Sequence, residues 1–138
     1  MLDTLEKLLP SDFPSISRQQ LETLQVNLGY KCNQQCLHCH VNAGPNRKEA
    51  MSHNTIDSVL SAIDKLTINN LDLTGGAPEL NPHFRYLVEQ AAAMSVHIMD
   101  RCNLTVLTEP GQETLAAFLA ENKVEVVASL PCYTKENV

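Results

Sequence analysis

The chain alternates two hydrophobic periods, and that alternation limits the folds open to it. Leu24, Val26 and Leu28 recur at every second residue with Gln25 and Asn27 between them, the pattern of a strand with one apolar face. From Met51 the period lengthens. Ile56, Val59, Leu60, Ile63 and Leu66 fall at helical spacing, with Ser52 or Asn54 available as N-cap. The stretch "INNLDLTGG" reads as a second strand ended by Gly75 and Gly76. "NPHFRYLVEQAAAM" follows as a helix, with Asn81 as cap, Pro82 at the first helical position and Phe84, Leu87, Val88, Ala91 and Met94 as its stripe. A third strand near "VHIMDRCNL" precedes a helix in "GQETLAAFLAEN", where Leu115, Phe118 and Leu119 face inward. "VEVVASL" is the fourth strand. Strands separated by single helices are βαβ units, which build a parallel sheet with right-handed crossovers.

Strands buried on both faces are almost wholly apolar. Here Gln25, Asn27, Asp72, Thr74, Glu125 and Ser129 alternate with the apolar set. One account is a sheet with a solvated side. The other is a curved sheet whose polar inner face lines a cavity, as in a partial (β/α) barrel. In βα architectures chemistry gathers at the carboxyl ends of the strands. The cysteine loop, Gly75-Gly76, Arg101 to Asn103 and Ser129 to Cys132 are all expected on that rim.

A chain of 138 residues, 43% hydrophobic, is expected to hold one core. We expect a lead-in over residues 1–20 and the core domain over 21–138. A net charge of −6, with no basic cluster beyond Arg47-Lys48, argues against nucleic acid as a partner. No apolar run approaches the roughly 18 residues of a membrane span. The acidic start "MLDTLEKLLP" does not read as a signal peptide. A cytoplasmic protein is therefore expected. The five cysteines are an odd number, and three crowd one loop, which suits metal or redox chemistry better than a disulfide framework.

That loop reads "YKCNQQCLHCH" from Tyr30 to His40, with Cys32, Cys36 and Cys39 spaced C-x3-C-x2-C. Zinc would need a fourth ligand from His38, His40 or a distant cysteine. An iron–sulfur cubane held by three thiolates leaves one iron open, a place for a chelating small molecule. The spacing is that of neither common ferredoxin pattern.

The cysteine loop after the first strand, together with a Gly-Gly-x-Pro after the second, resembles the radical S-adenosylmethionine superfamily. Within it, "VNLGYKCNQQCLHCHVNAGP", "LTGGAPELNPHFRYLV" and "DRCNLTVLTEPGQETLAAFLAENKVEVVASLPCY" are similar to the arsenosugar biosynthesis radical SAM proteins. The resemblance implies a [4Fe–4S] cluster on Cys32, Cys36 and Cys39, with S-adenosylmethionine chelating the open iron and cleaved reductively to a 5′-deoxyadenosyl radical. It implies cofactor contacts from His38, Gly75, Gly76, Pro78 and Ser129. Ala77 stands where the family's usual Glu would be, which puts a carboxylate contact to the methionine amino group in doubt. Glycines would let the backbone approach the cofactor closely.

The resemblance also implies an electron donor such as a flavodoxin or ferredoxin, and a small-molecule substrate, a methylated arsenic species that receives an adenosyl-derived sugar carbon. Soft thiolates select soft metalloids, so Cys102 and Cys132, with Asn103, are the expected substrate contacts. The alternative for those two thiols is packing as small hydrophobes. Because the superfamily core has six βα units, this chain is expected to be a barrel truncated after about four strands. Two competing readings stay open: a non-catalytic iron–sulfur or metal-binding fragment, and a peptide-modifying radical SAM enzyme. Glu109, Arg47 and Lys48 read as solvated surface, and His53, His83 and His97 receive no role.

Overall fold

A computed structural model of the chain describes residues 5–12, 14, 17 and 19–128. A short helix α1 (Leu5–Leu8) precedes strand β1 (Thr23–Asn27). Helix α2 (His53–Leu66), strand β2 (Asn70–Thr74), helix α3 (Phe84–Ala93), strand β3 (His97–Asp100), helix α4 (Leu115–Glu121) and strand β4 (Glu125–Val126) follow in order. The four strands form one sheet in the order β1-β2-β3-β4, every pair parallel. Four parallel strands with flanking helices are the partial α/β barrel that the periodicity implies.

Local sequence explains where the elements start and stop. Ser52 caps α2, its hydroxyl accepting the Thr55 N–H at 3.3 Å, while Asn54 lies inside the helix. Thr67 ends α2 in the left-handed region at φ 52°. Asn81 is not the cap of α3, which begins at Phe84. Its amide instead donates to the carbonyls of Leu28 (2.9 Å) and Met51 (3.0 Å), and its oxygen accepts the His83 N–H at 2.8 Å. A single turn of 3₁₀ helix (Pro78–Leu80) therefore separates β2 from α3. Among the described residues the fourth strand pairs over Glu125–Val126, with the Val127 N–H adding a bond of 2.8 Å to the Asp100 carbonyl. Ser129 and Cys132, expected on the rim beyond it, lie outside the described residues.

Register fixes the two faces. Val26 pairs with Leu73, Leu71 with Ile98 and Leu73 with Asp100, so these side chains share the face that packs under Ile56, Ile63, Phe84, Leu87 and Val88. Gln25 pairs with Asp72, Asp72 with Met99 and Met99 with Glu125 on the opposite face. The polar alternation is thus a real second surface. Much of it is solvent-exposed, Gln25, Asn27 and Glu125 included, but Asp72 within it is buried and accepts Arg101 Nε at 2.8 Å, the second Arg101 terminus at 2.9 Å and Gln25 Nε2 at 2.7 Å.

Candidate functional site: the cysteine loop and its frame

The loop leaves β1 through backbone bonds that make its base part of the sheet's end. Leu28 N–H donates to Thr74 O at 2.9 Å, Cys32 N–H to Gly44 O at 3.2 Å and Gly44 N–H to Tyr30 O at 3.1 Å. Met51 N–H returns to Leu28 O at 2.9 Å, which closes the loop before α2. At this base Cys32 is buried, whereas Cys36 and Cys39 are half-buried in the turn beyond. Leu37 and His38, between the outer cysteines, are exposed.

Three N–H donors point at the sulfurs. Gln34 N–H reaches Cys32 Sγ at 3.4 Å, Asn103 Nδ2 reaches the same sulfur at 3.5 Å, and Ala43 N–H reaches Cys39 Sγ at 3.3 Å. Such donors favour thiolate, the form that binds metal. Burial nevertheless pushes the Cys32 thiol up, with a smaller contribution from the neighbouring Cys36 and Cys39 thiols. A bound cation reverses that balance, because a coordinated thiol loses its proton. Among the described residues, the three loop sulfurs are not a group lying within 4.8 Å of one another.

Gly75 and Gly76 carry the end of β2 against the loop. A Cβ on Gly76 would stand 2.4 Å from the Lys31 carbonyl oxygen, and one on Gly75, at φ +148°, would stand 2.6 Å from that of Gly29. Their closeness makes bonds: Gly76 N–H donates to Gly29 O and Ala77 N–H to Lys31 O, both at 2.9 Å. These amides are engaged by the loop itself. Pro78 is buried at the start of the 3₁₀ turn.

The Asn103 side chain is also engaged by the loop. Besides Cys32, it donates to Asn33 Oδ1 at 2.9 Å, and its own oxygen accepts the Val106 N–H at 3.1 Å. Asn33 in turn donates to Thr105 Oγ1 (2.8 Å) and Glu109 Oε1 (3.0 Å). Glu109 is therefore tied to the cysteine loop and is not the free surface acid its sequence context suggests. Arg47 corrects a second such reading. Its guanidinium donates to Asn42 O at 2.6 Å, pairs with Glu49 at 2.9 Å and lies 4.8 Å from the Tyr30 ring centroid. The Arg47 bonds hold the exposed Glu49 carboxyl well below its ordinary range, at about 2. Cys102 is wholly buried, on the helix-facing side with Asp100 rather than on the polar face.

A family model described as the Radical SAM superfamily matches residues 26–131. The chain belongs to the radical SAM superfamily. Members of the superfamily bind a [4Fe–4S] cluster and S-adenosylmethionine, and the donor set of this loop, three cysteine sulfurs with N–H donors on Cys32 and Cys39, fits the first of these. Curated relatives carry the name "Mycofactocin maturase MftC". That of Mycobacterium ulcerans (strain Agy99) is 28% identical over 113 residues, covering 82% of this chain and 30% of the relative. That of Mycobacterium tuberculosis (strain ATCC 25618 / H37Rv) is 27% identical, covering 82% of this chain and 28% of its own length. That of Mycolicibacterium smegmatis is 26% identical over 107 residues, covering 78% and 26% respectively. This radical SAM chain thus spans less than a third of the relatives it matches. Among its described residues, no helix is long and apolar enough to cross a membrane.

Proposed function

We propose that residues 21–138 form the cluster- and cofactor-binding part of a cytoplasmic radical SAM enzyme, with Cys32, Cys36 and Cys39 as the cluster ligands. The observation that carries this reading is the set of N–H donors on Cys32 and Cys39 at the carboxyl end of a parallel sheet. When bound, the cluster and S-adenosylmethionine supply the electron and the cleavable sulfonium bond for radical chemistry. The chain's own residues position. Asn103 and Gln34 hold the Cys32 sulfur, Gly75 and Gly76 let the end of β2 close against the loop carbonyls of Gly29 and Lys31, and the Asp72–Arg101 pair orders the adjoining face. His38, Pro78 and Ser129 complete the proposed cofactor contacts.

For the substrate, the long resemblance of the segments around the cysteines and Cys102 supports carbon–arsenic bond formation in arsenosugar biosynthesis, with a flavodoxin or ferredoxin as electron source. On that assignment Cys132 is the proposed substrate contact; Cys102, wholly buried beneath the helices, and Asn103, engaged by Cys32, Asn33 and Val106, frame the site instead. The names of the curated relatives favour a second reading, maturation of a peptide-derived product. Anaerobic reconstitution of the full chain should give about four irons per chain and a broad absorbance, both lost in Cys32→Ala, Cys36→Ala or Cys39→Ala. S-adenosylmethionine should then shift the EPR signal of the reduced cluster. A colourless protein holding a single zinc instead would overturn the cluster reading. Mass spectrometry after turnover separates the substrates: an adenosyl adduct of dimethylarsinous acid supports the first, and a modified peptide with no arsenic adduct supports the second.

A further inference from the structure

On the helix-facing side of the sheet, three groups meet that the cysteine loop does not use. Glu79 sits in the 3₁₀ turn after the glycine pair, Asp100 ends β3 and Cys102 follows it. One ligand-type atom from each lies within 4.8 Å of the others, and all three residues are buried. Glu79 is 4% exposed and Asp100 0%. Among the described residues, none of the four carboxylate oxygens, Oε1 and Oε2 of Glu79 and Oδ1 and Oδ2 of Asp100, meets a hydrogen-bond donor while both carboxyls are ionised; a bond between Glu79 and Asp100 needs a proton on one of them. Buried polar atoms are rarely left so, and an unpaired buried carboxylate costs several kcal/mol. The Cys102 sulfur accepts the Leu104 N–H at 3.2 Å, a bond that suits thiolate.

We propose that Glu79, Asp100 and Cys102 form a buried site for one divalent cation, zinc in preference to others, separate from the cysteine loop. The donor set selects the ion. One sulfur excludes the hard cations that prefer all-oxygen shells, and two carboxylates disfavour purely thiophilic ones, which leaves borderline zinc. Ligand atoms sharing one zinc stand roughly 3.3–3.6 Å apart, and those of the three groups lie within 4.8 Å of one another.

Protons are the competing occupants. Burial, reinforced by the adjacent Glu79, pushes Asp100 up to about 8 and Cys102 up to about 12. One proton shared between the two carboxyls cancels only one of their two charges, whereas a divalent cation balances both. Its place also has a consequence. The ion would join the turn after Gly75-Gly76 to the residue before Asn103, the two segments that frame the cysteine loop.

The test uses the full chain with its cluster reconstituted anaerobically, so that the loop thiols are occupied, then exposed to zinc sulfate and desalted. Elemental analysis reads zinc and iron together. We expect about one zinc per chain in the parent, and its loss in the Glu79→Gln/Asp100→Asn double variant with iron unchanged. That variant keeps shape while removing charge, and its melting curve without zinc reports whether it folds. Zinc should raise the parent's Tm by several degrees and leave that of the double variant unmoved. Cys102→Ser, which alters one atom, should weaken zinc retention at least about tenfold. Equal zinc in parent and double variant overturns the proposal, as does a parent that retains none. Zinc in the loop, were the cluster reading to fail, would be common to both proteins, so the difference still reads this site.

Discussion

Two buried aspartates on opposite faces of one sheet meet opposite fates. Asp72 points to the polar face, where Arg101 forks onto both its oxygens and Gln25 adds a third bond. The Arg101 bonds hold its carboxyl below the ordinary range, against the effect of burial. Asp100, one strand over, faces the helices in register with Leu73, with no donor among the described residues while it and Glu79 are both ionised, and burial raises it to about 8. Burial alone therefore does not decide what a carboxylate does in this fold. A face that supplies a guanidinium turns it into a structural anion, and a face lined with Leu, Ile and Phe turns it into a proton or cation holder.

Breaking the paired side gives the most direct mutational test. Arg101→Met leaves the Asp72 charge with Gln25 alone, and chemical denaturation should show a loss of about 2 kcal/mol, moderated because Arg101 is half exposed. A gain in stability would mean that the pair contributes nothing. The pH dependence should then separate the two aspartates. Asp72, lowered in the fold, stabilises above the unfolded value of about 3.9, and that contribution is lost as pH falls through its lower folded value. Asp100 works the other way. Held at about 8, it binds a proton that the unfolded chain has released, so stability of the zinc-free protein should fall between about pH 4 and pH 8. Thermal melts in chelator across that range should show the decline, and Asp100→Asn should flatten it. A slope identical in parent and variant would remove Asp100 as its source. Asp100→Asn itself should change stability by less than about 1 kcal/mol at pH 5, because an amide replaces a neutral acid of the same shape. The smallest effect belongs to Gln25→Leu, which removes one of the Asp72 bonds and should cost about 0.5–1 kcal/mol.

The period-2 and period-3.6 patterns were sufficient to place four parallel strands and three packed helices, because burial on one face is written directly into residue spacing. The polar face was legible for the same reason: Gln25 and Asp72 alternate with apolar neighbours and turn out to be paired in register. Asp100 was not legible. An acid two residues after Ile98 reads as the polar end of a strand, and only the register with Leu73 shows that it points inward. Cys102 follows the same parity, so a thiol expected on an open rim lies under the helices instead. Arg47 pairs with Glu49 two residues on, and it also reaches a backbone carbonyl of the loop, which carries no residue signature. Asn81 shows the limit of capping rules: its amide found two carbonyls from distant segments, and the helix started later. The cysteine spacing announced a metal loop, while the groups that steady it, Asn33, Asn103 and Glu109, are ordinary polar residues with no pattern to mark them.

The interlock between the glycine turn and the base of the cysteine loop has a consequence for how the protein is made. During synthesis the thiols emerge well before Gly76 and Ala77, whose amides hold the Gly29 and Lys31 carbonyls. Until β2 has docked beside β1, the loop lacks the backbone partners that set its path, and Asn103 has not yet arrived to reach Cys32. Iron delivered at that stage would meet three thiols without a fixed spacing. Metallation should therefore be a late, post-translational event gated by non-local strand pairing. Amide exchange at Gly76 and Ala77 should be slow only once the sheet is closed, giving a clock for the moment at which the chain becomes competent to receive its cluster.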